Sequence, residues 1–188
     1  MSVSPKRYNK VAITLHWVMA LAFLTMIIMG LAMVNLPLDK SLQFRMYQWH
    51  KSLGVLLIVA AFLRLMVRII SSIPDFPQSM NRLQRIFAKA GHWALYLWMF
   101  ILPISGWIMV SASILSIPTI VFGWFEWPHF PYIHPDVVIE DLAKKSHQLL
   151  AYGFIGLILG HIAFTFKHLL IDKENLLPRM GIGHTEKD

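Results

Sequence analysis

Four long apolar runs, separated by short polar and charged clusters, organise this chain. The first carries no charge from Val11 to Leu38, and Asn35 and Pro37 mark its end. That predicts a helix over about residues 11–34. The second helix is expected over about 47–70, apolar from Leu53 to Leu63 and then interrupted by Arg64 and Arg68. The third, about 89–112, contains Pro103, which removes an intrahelical hydrogen bond and predicts a kink. The fourth, about 145–170, is uncharged from Gln148 to Phe166. Each run reaches the roughly 20 residues that a hydrocarbon core requires. The pattern therefore predicts an all-α membrane protein, a four-transmembrane-helix bundle that forms one membrane domain over 1–188. An outer loop is expected over 113–144. The first run follows Lys6, Arg7 and Lys10 as a signal peptide would, but its length and the internal His16 predict that it is retained.

Composition strengthens this picture. Apolar residues make up 56% and charged residues 14% of the 188 residues, and mean hydropathy is +0.56. A soluble domain carries about 25% charged residues, so a water-facing surface would be short of charge. There is no cysteine. This excludes disulfides, iron–sulfur clusters, thiolate zinc sites and covalent haem attachment. Metal chemistry must rest on histidine, methionine or carboxylate.

The net charge of +7 does not form one face, as a nucleic-acid partner would need; it lies in clusters between the spans. Four spans put both termini on one side. Lys6, Arg7, Lys10, Arg64, Arg68, Arg82, Arg85, Lys89, Lys167, Lys173, Arg179 and Lys187 fall on that side. Only Lys40, Arg45, Lys51, Lys144 and Lys145 fall on the other. By the positive-inside rule both termini are expected in the cytoplasm. The outer loop is rich in Trp, Phe and Pro, which suits either an anchor along the headgroups or a lid over an outer site.

The histidines carry the chemistry. His16, His50, His92, His147 and His161 lie within the spans, where a polar side chain is costly. His147 and His161 are fourteen residues apart, about 40° short of four full turns, so they share a face and stand about 21 Å apart along the axis. That is too far for one metal ion and suits two cofactors at two depths. Helix direction places His16 with His161 at the inner level and His50 with His147 at the outer level. Two bis-imidazole haem b sites follow, with porphyrin filling the bundle interior.

The same interval on the other helices runs from His16 to Gly30, from His50 to Arg64 and from His92 to Gly106. Gly30 and Gly54 suit either porphyrin clearance or close helix packing. Arg64 suits a haem propionate. His92 is left unpaired at the inner level, and His168 lies one heptad beyond His161. Either suits a propionate or a quinone carbonyl, and His168 also suits a headgroup-facing position. His129, His134 and His184 are expected at solvent or interface, Arg68 as an anchor, and the methionines in packing. No paired carboxylate, nucleophilic triad or phosphate loop lies in the spans, so no catalytic residue is assigned.

In its landmarks the chain resembles the bacterial cytochrome b561 family, from about Tyr8 to Met180. These are His16-Trp17, His50-Lys51-Ser52-x-Gly54 with Arg64, Gly91-His92 with Leu95-Tyr96, Pro103-x-Ser105-Gly106, Phe122-Gly123, His147, and Gly160-His161 through Lys167-His168. The resemblance implies two b haems on His16, His50, His147 and His161, and electron exchange with membrane quinone. It also implies, for one subtype, superoxide oxidation on the outer side with ubiquinone reduction. Some relatives carry Glu where this chain has Gln148. The alternative to a self-contained superoxide:quinone oxidoreductase is an electron carrier that serves a periplasmic donor protein. A haem-free transporter or assembly factor would need broken helices around a midplane site, and Pro103 is the one firm interruption.

Overall fold

The computed structural model describes residues 7–183. Lys6, His184 and Lys187, used above for charge and chemistry, lie outside the described residues. Four helices form the molecule: α1 (Lys10–Asn35), α2 (Lys40–Ile70), α3 (Arg82–Ala112) and α4 (Val137–Leu170). All four are long and apolar enough to cross a membrane. A 3₁₀ turn, α5 (Leu177–Met180), follows. The four-helix membrane architecture read from the sequence is therefore found.

Three helices begin earlier than the apolar runs suggested, at Lys40, Arg82 and Val137 rather than near 47, 89 and 145. Capping explains the difference. Asp39 accepts from the amides of Ser41 and Leu42, and Asp136 from those of Val138 and Ile139. Asn81 and Gln84 form a reciprocal capping box. Each cap satisfies amides that a helix start leaves bare, so the helix begins at the cap, in the polar layer, not where hydrophobicity rises.

One small departure from an all-α chain lies in the outer loop. Strands β1 (Thr119–Val121) and β2 (Phe125–Trp127) pair antiparallel, with Ile120 opposite Glu126. Phe122 (φ 48°) and Gly123 (φ 81°) take the left-handed conformation at the tip, the geometry that matches hairpin twist. α2 holds this hairpin. Ser52 Oγ donates to the Ile120 carbonyl at 3.2 Å and accepts from the Phe122 amide at 3.1 Å, while Lys51 Nζ donates to the Pro118 carbonyl at 2.8 Å. The hairpin thus docks beside His50, while Trp124 and Phe125 at its tip stay exposed.

α3 packs extensively on α4, and α1 and α3 flank α2; α4 approaches α1 and α2 closely at few backbone positions. Trp98 fits against Gly153, where a Cβ would stand 3.3 Å from the indole, and donates to the Leu150 carbonyl at 3.0 Å. The buried centre is Met19, Phe23, Leu57, Ala61, Met99 and Phe154. Phe23 and Phe154 meet edge to face at 4.9 Å, bridging α1 and α4 at mid-depth.

The two chain ends meet on one face. Tyr8 donates its amide to the Arg179 carbonyl, Arg7 Nε to the Pro178 carbonyl at 2.8 Å, and Trp17 Nε1 to the Met180 carbonyl at 2.9 Å. This terminal face lies opposite the hairpin face. Ser52→Ala removes the bridge that carries the hairpin and leaves the Phe122 amide unpaired, at a cost of about 1–2 kcal/mol. Hydrogen exchange at that amide should accelerate about 5–30-fold, with the α2 amides below Val55 unchanged.

Candidate functional site

The fourteen-residue interval sorts polar and small residues from all four helices into two levels. On the terminal side stand His16 of α1, Arg64 of α2, His92 of α3 and His161 of α4. On the hairpin side stand Gly30, His50, Gly106 and His147 from the same helices.

At the terminal level, the His16 and His161 rings face each other with centres 6.3 Å apart, and His92 lies 5.5 Å from His161. His92 Nδ1 is 2.7 Å from the Ala88 carbonyl, one turn back on its own helix. This bond fixes the ring and puts its proton on Nδ1. Arg64 donates to His16 Nδ1 at 3.0 Å and to the Ala12 carbonyl at 3.3 Å, and its guanidinium lies 5.9 Å from the Tyr96 ring centre. His92, unpaired in the sequence, thus joins a cluster of three imidazoles and one guanidinium.

At the hairpin level, the His50 and His147 ring centres are 6.4 Å apart. His147 Nδ1 lies 3.1 Å from the Leu102 carbonyl and 2.9 Å from Ser105 Oγ. The carbonyl accepts, so Nδ1 carries the proton and Nε2 presents a lone pair. His50 Nδ1 is buried without a hydrogen-bond partner among the described residues. A Cβ on Gly30 would stand 3.6 Å from His50 Cε1, and one on Gly106 would stand 3.1 Å from His147 Cε1. Both glycines lie against the imidazoles. Gly54 instead faces Met26, 3.8 Å from its Cε.

His168 stands on the terminal side of α4. It is only 2% exposed, which removes the headgroup-facing alternative. Its Nδ1 donates to Asp172 at 2.6 Å, and Phe164 packs edge to face at 4.6 Å. Nε2 is buried without a hydrogen-bond partner among the described residues. Lys167 binds the same carboxylate at 2.6 Å. Arg68, expected as an anchor, reaches Tyr8 Oη at 3.4 Å and holds the N-terminal segment.

Sequence reasoning missed Ser105, Leu102 and Asp172. Ser105 lies in the Pro103-x-Ser105-Gly106 landmark, but its contact with His147 on another helix depends on the packing of α3 against α4. Asp172 follows His168 by one turn, an i,i+4 spacing that was readable.

The prokaryotic cytochrome b561 model matches residues 7–183. The chain belongs to the prokaryotic cytochrome b561 family. It is 34% identical to "Cytochrome b561 homolog 2" of Escherichia coli (strain K12), over 98% of this chain and 96% of that protein. It is 28% identical to "Probable superoxide oxidase CybB" of Yersinia pestis, over 93% of this chain and 96% of that protein. As a cytochrome b561 it is a multi-pass bacterial membrane protein that binds b-type haem.

Lys167 first, and then His168, hold the Asp172 carboxyl below its ordinary 3.8. A depressed carboxylate stabilises the fold above its unfolded value and loses that contribution as pH falls through the folded value. Acidification below about 3.9 should therefore release the segment after α4, seen as faster hydrogen exchange over residues 171–183. Asp172→Asn should show the released state at neutral pH and no such acid transition.

Proposed function

We propose that this cytochrome b561 carries two b haems, one at each level, and passes single electrons across the bacterial inner membrane in exchange with the quinone pool. His16 and His161 would hold the inner haem, and His50 and His147 the outer one. The supporting observation is the ring spacing, 6.3 Å in one pair and 6.4 Å in the other. A metal–imidazole bond is about 2 Å, so two opposed imidazoles on one ion hold their ring centres about 6 Å apart. Both pairs have that separation. The donor set also fits, because four neutral imidazoles suit haem iron and no thiolate competes.

When bound, haem supplies a one-electron couple, tuned by its ligands and burial. The chain's own groups do the rest. The Leu102 carbonyl and Ser105 orient His147 so that Nε2 faces across to His50. Gly30 and Gly106 keep side chains off the two rings. Arg64 donates to His16 Nδ1; with a haem held through His16 Nε2, the imidazole proton would sit on Nδ1 and the guanidinium would be free for a porphyrin carboxylate. His92, its Nδ1 tied to Ala88, offers Nε2 to the same group.

His168 is assigned to the quinone. Asp172 accepts from its Nδ1–H, so Nε2 is the atom left to meet a quinone carbonyl; as the imidazolium, His168 would give its Nε2 proton to the quinone that takes up an electron and would be left as the neutral Nδ1–H imidazole. The terminal face is assigned to the cytoplasm, where ten of the fifteen described Lys and Arg residues fall.

Superoxide oxidation at the hairpin face is the second reading, favoured by the name of the Yersinia pestis relative. Of the five cations there, Lys51 is bound to the hairpin and Lys145 pairs with Asp141 at 2.7 Å, which leaves Lys40, Arg45 and Lys144 to attract an anion. A periplasmic donor protein is the alternative source of electrons. Stopped-flow mixing with superoxide separates the two: rapid haem reduction followed by quinone reduction identifies the oxidase, and a rate no faster than uncatalysed dismutation identifies the carrier.

Purified protein should show a low-spin b-type spectrum with about two haems per chain. A colourless preparation from haem-sufficient cells would overturn the proposal. His161→Ala should remove the inner haem and spare the outer. His168→Ala should keep both haems and slow quinone reduction by about 100-fold.

A further inference from the structure

Beyond the two histidine levels, one cavity of about 410 Å³ opens at the start of α3, lined by Met80, Arg82, Arg85, Ile86 and Lys89. Three of its five lining residues are cations, and none is a carboxylate. Arg82, Arg85 and Lys89 recur at intervals of three and four, so they share one helix face. None of them makes an ion pair with a described carboxylate.

Two of the three are held in place before any ligand arrives. Arg85 Nε donates to the Met80 carbonyl at 2.9 Å, and one terminal nitrogen donates to the Pro77 carbonyl at 3.3 Å. The other terminal nitrogen remains for a ligand. The Lys89 ammonium lies 5.8 Å from the centre of the Phe76 ring. The connector between α2 and α3 thus fixes both side chains, and Arg179 anchors that connector by a bond to the Asp75 carbonyl. The Gln84 amide is engaged by the Asn81 side chain and the Arg85 amide by the Asn81 carbonyl, and the full positive charges offered here belong to side chains.

Position decides the ligand class. The cations sit at the terminal end of a membrane-crossing helix. Beside them Leu83, Ile86 and Phe87 are 63%, 51% and 62% exposed on the lipid-facing surface. A ligand that fits must bring an anionic oxygen group to the cavity and apolar chains to the same helix. Basic recesses at the cytoplasmic ends of spans suit anionic lipid headgroups, and Arg binds phosphate oxygens in a fork.

We propose that Arg82, Arg85 and Lys89 form a binding site for the phosphodiester headgroup of an anionic phospholipid, retained by the folded haem protein. The bound lipid would tie the α2–α3 connector to the bilayer. This site is independent of the haem and quinone assignments.

Native mass spectrometry of the haem-loaded full chain, released from nanodiscs of phosphatidylglycerol in phosphatidylcholine, tests it. One phosphatidylglycerol per chain should stay bound at a detergent concentration that strips phosphatidylcholine. Arg82→Gln/Lys89→Gln, which leaves the Arg85 loop bonds intact, should lower that retention at least tenfold while keeping the haem spectrum. Lys10→Gln/Lys173→Gln, with the same charge change on the same face, should retain the lipid. Equal loss in both variants, or no loss in the first, would overturn the site. Displacement of the lipid by millimolar inorganic phosphate would identify a free-phosphate site and overturn the lipid assignment. Should the first variant not fold, the wild-type chain decides the matter: a saturable single phosphatidylglycerol supports the site, and retention proportional to bilayer composition overturns it.

Discussion

The edge-to-face contact between Phe23 and Phe154 at mid-depth sets the architecture. It ties α1 to α4 at one height, while the α4 backbone otherwise keeps its closest approach for α3. Met19, Leu57, Ala61 and Met99 close the centre around it. Above and below this plug, the helices face one another through imidazoles. A bundle packed evenly along its length would bring these rings into contact. Instead the packing is concentrated at the centre, and both ends hold their rings at one separation. Two levels, insulated by an apolar middle, follow from a single aromatic pair supported on both sides.

The two levels share a spacing but differ in character. The terminal one carries a guanidinium and a third imidazole, and the buried His168–Asp172 pair lies farther along the same helix. The hairpin one carries two glycines and a serine. Charge and proton-holding groups therefore gather on one side, which suits an exit for electrons that must be accompanied by protons. The other side has bare faces and a fastened hairpin, which suits electron entry without proton chemistry. Trp98 seated against Gly153 keeps α3 and α4 in register, so Ser105 and Leu102 stay aligned with His147.

The spans and the pairing of levels were legible in the sequence because both rest on helix periodicity. His147 and His161 fix a face and a rise, and Gly30, Arg64 and Gly106 then fall at matching heights on their own helices. The structure places each beside the imidazole of that height. Helix starts were less legible, because Asp39, Asn81 and Asp136 cap outside the apolar runs and hydropathy is silent there. The β hairpin was hidden for a related reason. Three-residue strands carry too little alternation to register, and the hairpin's stability comes from Ser52 and Lys51 on another helix. Burial of His168 was also out of reach, since it depends on the return of the chain after α4. Gly54, which suited either porphyrin clearance or close packing, has the Met26 side chain as its neighbour.

Both imidazole pairs draw one member from α4, the last span to be synthesised. A nascent chain that has inserted three helices holds His16 and His50 but neither partner. On the proposed ligand assignment it would present only half-sites, with a correspondingly low haem affinity. Neither level can close until the fourth helix enters the bilayer, and the segment after it must then fold back onto Arg7, Tyr8 and Trp17. On the proposed two-haem assignment, the order of synthesis would become a checkpoint in biogenesis: haem would be captured late and at both depths together, and a product cut before α4 would stay pale and open to quality-control proteases.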